Sequence, residues 1–198
     1  MPKRARLDEF VPMEMLPRAH RVAEDREFQT SWYQLAGQLI TGQCPTCTVL
    51  DAGAGMGYGQ RILERAGLKV ESFDLVSLVA WVKRATLDDY ATASFDYVLS
   101  MDVIEHVPDD MRFLGHLLRI ARRGVFFSTP NWNVFGAKNP HHYREYTPAE
   151  LIALVAAFKP YWRTARFWSG DEHSRVAPFD GQPPVDTRVC NFGVFLEK

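Results

Sequence analysis

The chain has 198 residues, 46% of them hydrophobic, which suits one domain with a full core and leaves little room for a second. Its 23 basic and 24 acidic residues give a net charge of -1, and nucleic-acid binders usually carry a basic excess, so no nucleic-acid partner is expected. No apolar run is long enough for a membrane span, and the charged start MPKRARLDEF has no apolar stretch behind it, so no signal peptide is read and the expected location is cytoplasmic.

Residues 1–18 hold three prolines and mixed charge and read as an irregular arm. From about Ala19 to Ile40 the pattern is helical, with Phe28, Trp32, Leu35, Leu39 and Ile40 near one face. Residues 1–40 are therefore taken as an arm and lid helix before a domain over 41–198. Cys44-Pro-Thr-Cys47 has the C-x-x-C form. A zinc site needs two further ligands nearby, and the remaining cysteine, Cys190, is distant. A redox pair of the thioredoxin type opens a helix after a strand, whereas this one precedes a strand, so both are read as plain loop cysteines.

Thr48 to Ala52 reads as a buried strand, followed by a glycine-rich turn and a helix from Tyr58 to Ala66 that Gly67 stops. Further strands are expected over Lys69–Phe73, Ala80–Thr86, Phe95–Ser100 and Gly124–Ser128, with a helix over Asp109–Arg122. Thr147-Pro148-Ala149-Glu150 is a capping box with proline at the first helical position, opening a helix to about Phe158. Two late strands, near Tyr161–Trp168 and Asn191–Glu197, can pair across a long loop. The alternation predicts an α/β, Rossmann-like, mostly parallel seven-stranded sheet with helices on both faces and an antiparallel hairpin at the C-terminus. Ligands of such sheets sit outside the carboxyl ends of the strands.

The sharpest signal is Val49-Leu50-Asp51-Ala52-Gly53-Ala54-Gly55-Met56-Gly57-Tyr58-Gly59. Its glycines permit a sharp turn and close approach of a ligand to backbone, and the helix that follows offers free N–H groups. A G-x-G-x-G loop alone equally suits a dinucleotide. Asp51, at the strand end, would repel a pyrophosphate but attracts an ammonium group. Asp74, at the end of the next strand, can accept both ribose hydroxyls. The pair points to S-adenosylmethionine.

The loop from Asp51 to Gly57 resembles motif I of class I methyltransferases. The block from Phe95 to Val107, FDYVLSMDVIEHV, resembles their fourth-strand segment, and in particular that of the ubiquinone-biosynthesis O-methyltransferases and related small-molecule enzymes. The resemblance implies S-adenosylmethionine as cofactor, held by Asp51, Ala52, Gly53, Gly55, Gly57, Asp74, Leu75 and Met101, with Leu87 packed on the adenine. The segment between Leu75 and Leu87 is short for the helix that relatives place there, so that helix is expected to be short or absent. The Asn/Asp-Pro-Pro-aromatic motif of amino-methylating enzymes, a Pro-Cys nucleophile and a paired-glutamate loop are all missing. Together with the neutral charge, this favours a small-molecule or glycan acceptor.

Asp102, Glu105 and His106 stand at i, i+3 and i+4, one face of a helical turn. In the ubiquinone enzymes the similar acidic-x-x-Glu-His group looks like a divalent-metal site. The local reading is that Asp102 caps a helical turn and Glu105 returns the bond; it is preferred, and no metal ligand is assigned. Asn139-Pro-His-His-Tyr-Arg-Glu-Tyr-Thr147 lies on a loop over the acceptor end of the sheet and is similar to a His-x-x-Glu-aromatic-Thr segment of relatives. His142, or else His141, is the candidate general base for in-line methyl transfer to an oxygen. A hydrogen bond from one of them to Glu145 would be the purely structural alternative, and Trp132, Phe135 and Tyr143 are candidate pocket walls. A non-catalytic cofactor-binding protein of the same fold is the rival reading.

Overall fold

The computed structural model describes residues 21–136, 139–171, 173–179 and 189–198, so the expected arm lies outside the described residues. Strand β1 (Thr48–Ala52) runs parallel to β2 (Lys69–Asp74) on one side and to β4 (Phe95–Met101) on the other. With β3 (Val82–Arg84), β5 (Ala121–Pro130), β6 (Thr164–Asp171), β7 (Val176–Phe179) and β8 (Val189–Glu197) the order is β3-β2-β1-β4-β5-β8-β6-β7. Chain order reverses beside β1, and that crevice is where open α/β sheets hold ligands.

The sheet has eight strands where seven were expected. The addition is β7, Val-Ala-Pro-Phe, antiparallel to β6 at the far edge. Its proline obscures it in sequence and is tolerated because an edge strand has one side without a ladder partner. The predicted late pair exists: β8 lies antiparallel between β5 and β6. Helix α3 (Asp110–Ile120) stops earlier than expected, and Ala121–Arg123 instead open β5, where Arg122 and Arg123 reach Asp96 at 3.3 and 3.5 Å.

Two cores flank the sheet. One gathers α3 and α5 (Pro148–Ala157) against Leu50, Val98, Val125 and Phe127. The other packs α1 (Arg21–Thr41) and α2 (Tyr58–Arg65) against Val49, Leu99 and Phe126. Within α1 the buried face is Trp32, Tyr33, Ala36 and Ile40, with Leu35 and Leu39 only partly covered; the side chain of Phe28 lies outside the described residues. Trp32 fits because Gly193 and Gly170 leave room, since a Cβ would stand 2.6 and 2.9 Å from its ring. Gly59 makes the same space for Tyr33.

Between β2 and β3 no helix forms, and residues 75–81 are irregular. Thr147 and Glu150 cap α5 reciprocally, as the motif predicted. The cysteines correct the sequence reading: Cys44 and Cys47 form a disulfide across a tight turn, their Cα atoms 5.5 Å apart, within the range that disulfides span. Among the described residues no helix is long and apolar enough to cross a membrane.

Candidate active site

The glycine turn follows β1 directly. Gly53, Gly55 and Gly57 all have positive φ, at 79°, 52° and 68°, a region that side chains rarely enter. The three are not equivalent. A Cβ on Gly53 would meet Val103 at 2.6 Å, and one on Gly57 would meet Trp81 at 2.5 Å, so those two glycines are required by packing. A Cβ on Gly55 would meet nothing within 4 Å. Gly55 alone of the three therefore borders open space, the cradle a ligand needs.

Asp74 closes that cradle from the next strand. Its Oδ2 accepts from the Gly55 N–H at 2.9 Å and its Oδ1 from the Val76 N–H at 3.2 Å. The carboxylate thus shapes the loop from the carboxyl end of β2. Leu75 beside it is 53% exposed and available to a ligand. Ala52 is buried, its carbonyl accepting from Ser100 Oγ at 3.0 Å. Met101 is buried in the α1-side core, and Leu87 opens a 3-10 turn, partly packed on the other core. If Asp74 is a ribose ligand, Asp74→Ala weakens binding of the demethylated cofactor product by roughly tenfold to a hundredfold, the loss of two charge-assisted bonds. Affinity within about twofold of wild type, read by calorimetry, would remove Asp74 from the site.

Asp51 is wholly buried. Tyr33, reaching down from α1, donates its hydroxyl to Oδ1 at 2.8 Å, and Ser72 makes a long contact of 3.5 Å to Oδ2. Burial lifts its pKa to about 7; the two hydroxyls pull it down, and the charge of Asp74 adds to the rise. Burial and the Asp51 charge push the Tyr33 phenol up. Sequence reasoning missed Tyr33: nothing local marks it, since its role depends on where α1 docks.

On the acceptor side the capping interpretation of Asp102 and Glu105 does not hold. Asp102 adopts φ 53° and turns its carboxylate to Ser128 Oγ at 2.7 Å and Asn191 Nδ2 at 3.3 Å, while the 3-10 turn at Ile104–His106 has no side-chain cap. Glu105 points inward, fully buried. Thr129 Oγ1 donates to its Oε2 at 3.1 Å, and Oε1 has no hydrogen-bond partner among the described residues. Burial, with the charge of Asp102, holds its carboxyl well above the usual range. Its backbone carbonyl accepts from Tyr143 and Arg144 N–H at 2.8 and 3.3 Å, which fastens the histidine loop over it.

That loop separates the two histidine candidates. His142 Nδ1 lies 2.6 Å from Glu145 Oε1, and its Nε2 lies 2.9 Å from Asn139 Nδ2. Asn139 Oδ1 accepts from the His141 N–H, which fixes the amide so that its NH₂ faces His142. The neutral ring that fits carries its proton on Nδ1, donated to Glu145, and its lone pair on Nε2. His141 contributes its carbonyl, 3.0 Å from His106 Nδ1. A carbonyl only accepts, so His106 carries its proton on Nδ1 as well. Burial against the protein, with the His142 and His141 rings nearby, holds His106 below the ordinary imidazole range. The His106 and His142 rings meet edge to face at 4.7 Å. Glu105, His106 and His142 each offer one ligand atom within 4.8 Å of the others. Of the expected group, Glu105 and His106 come together, Asp102 turns away, and His142 joins them. Trp132 and Tyr143 are 41% and 42% exposed, and the side chain of Phe135 lies outside the described residues.

A glycine cradle and two strand-end aspartates at the switch point of this sheet define a class I methyltransferase fold. A family model described as a methyltransferase domain matches residues 7–175, and the chain belongs to that family. It is 30% identical over 157 residues to a "Probable S-adenosylmethionine-dependent methyltransferase" of Mycobacterium tuberculosis, a match covering 68% of this chain and 57% of that protein. It is 31% identical over 142 residues to a ubiquinone biosynthesis O-methyltransferase of Xanthomonas oryzae, covering 54% of this chain and 59% of that one. The chain thus spans little more than half the length of these relatives. Among solved structures it is similar to magnesium protoporphyrin IX methyltransferase from Synechocystis with bound SAH (TM-score 0.62, 15% identity, 91% of this chain and 89% of that one). A SAM-dependent methyltransferase from Archaeoglobus fulgidus has the same fold (TM-score 0.58, 15% identity, 91% and 100%).

Proposed function

We propose that the chain is an S-adenosylmethionine-dependent methyltransferase that methylates an oxygen of a small-molecule or glycan acceptor. The observation that carries the cofactor half is Gly55, left-handed and facing open space beside Asp74. The fit is chemical as well as steric. Asp51 meets an ammonium, Asp74 meets hydroxyls, and Leu75 gives apolar surface. When bound, the cofactor supplies a methyl group on a sulfonium, a leaving group that needs no proton. The chain's share is alignment and exclusion of water, together with proton removal. His142 Nε2 takes the acceptor's hydroxyl proton once Asn139 yields its place there, and Glu145 steadies the imidazolium that results. Micromolar binding of S-adenosylmethionine and of its demethylated product is expected in calorimetry. Heat from a nicotinamide dinucleotide, with none from either of these ligands, would overturn the reading.

The unpartnered Oε1 of Glu105 favours a second reading, in which Glu105, His106 and His142 hold a divalent cation. Such an ion would polarise an acceptor oxygen and make it easier to deprotonate. Against it, both nitrogens of His142 already have partners, and burial keeps Glu105 toward its neutral form. Turnover is therefore expected to survive a chelator. Loss of turnover that Mg²⁺ or Zn²⁺ restores would transfer these residues to a metal site.

A further inference from the structure

We propose that Tyr33 is a positioning residue for the cofactor: its hydroxyl keeps the Asp51 carboxylate oriented and ionised toward the ammonium group of S-adenosylmethionine, so that cofactor affinity depends on pH through this pair. The inference rests on the cofactor reading above.

Asp51 sits fully buried at the carboxyl end of β1. A carboxylate there has lost its hydration and needs donors or a cation. Among the described residues the groups that act on it are the Tyr33 phenol from α1, Ser72 from β2, and the charge of Asp74 at the end of β2; none is a cation. Asp102, at the end of β4, acts on the Tyr33 phenol in turn. The charge of Asp74 and burial both oppose ionisation of Asp51. The bond from Tyr33 at 2.8 Å is the short contact that opposes them, since Ser72 is at 3.5 Å. Oδ2, with only that long contact among the described residues, keeps accepting capacity, and because the carboxylate is buried it acts on an incoming ammonium through a bridging water.

The packing is built around the phenol. Gly59, the second residue of α2, has no side chain where the Tyr33 ring lies. Trp32, the preceding residue, anchors the same turn of α1 against Gly170 and Gly193. A phenylalanine would fill this slot equally well, so only the bond to Asp51 requires the hydroxyl.

The sign follows from competition. A proton on Asp51 removes the charge that attracts the ammonium, so affinity falls as pH drops through the pKa of Asp51, by up to about tenfold per pH unit. Burial places that pKa at about 7 in the ligand-free protein. Without the Tyr33 donor it rises further, and the fall begins at higher pH.

The test is calorimetry of the demethylated cofactor product between about pH 6 and 8.5 on wild type, Tyr33→Phe and Asp51→Asn, the last showing the ligand's own titration alone. Wild-type affinity is expected to rise by roughly fivefold to tenfold from about pH 6 to 7.5 and then level. Y33F is expected to bind about fivefold to twentyfold more weakly at pH 7 and to recover most of that loss at pH 8.5. D51N should bind weakly without the rise. A Y33F loss that is equal at every pH, or no loss at all, would reduce Tyr33 to packing. A wild-type profile parallel to that of D51N would overturn the proposal even if Y33F did not fold. Absence of binding by wild type at every pH is a different result, and it removes the cofactor reading itself.

Discussion

Gly55→Val is expected to weaken binding of the demethylated cofactor product by more than about a hundredfold, or close to 3 kcal/mol, while the melting temperature falls by only the few degrees that backbone strain costs. The argument turns on what a side chain would meet. At φ 52° a branched residue is strained, at a cost on the order of 1–2 kcal/mol. Its Cβ would meet nothing inside the protein, because no atom lies within 4 Å of that position. The methyl groups would instead occupy the cradle. Gly53→Ala is the contrasting case, since its Cβ would stand 2.6 Å from Val103 and the damage should fall on stability. Calorimetry and thermal melts of the two variants separate ligand space from packing. A Gly55→Val protein that still binds would show that the ligand approaches elsewhere.

What the sequence disclosed follows the range of the interactions concerned. The glycine turn was legible because positive φ is a local requirement, and three glycines at alternate positions have few other uses. Asp51 and Asp74 were legible because strand ends are local too. Tyr33 was not, because its partner lies 18 residues away and the contact exists only once α1 docks. Asp102 and Glu105 were misread for a related reason. Their spacing suits a cap, but Ser128 and Asn191, on strands far along the chain, draw Asp102 out of the turn. The early end of α3 is of the same kind: Arg122 and Arg123 read as helix formers until Asp96 on the neighbouring strand is seen to hold them extended. The bond between His142 and Glu145 was open to sequence, being short in range, but its orientation was not. Asn139 sets that through a backbone contact to His141.

That orientation gives the last prediction. With an acceptor in hand, His142→Ala is expected to lower turnover by roughly a hundredfold to ten-thousandfold, the usual worth of a general base. His141→Ala should leave it nearly unchanged, because the contacts of His141 run through its backbone N–H and carbonyl, which alanine keeps. Neither change should alter cofactor affinity, since both residues lie on the histidine loop and neither belongs to the glycine turn or to the end of β2. A structural role for His142 makes a different forecast. Its side chain, only 9% exposed, packs beside His106 and partners a buried carboxylate, so a loss of packing would appear in the melting temperature. His142→Gln separates the two. Glutamine can donate to Glu145 from its amide and preserve the loop, but it offers no nitrogen able to accept a proton at neutral pH. Recovered stability with turnover still depressed assigns His142 to proton removal. Recovered turnover assigns it to scaffolding, and methyl transfer then runs on alignment alone.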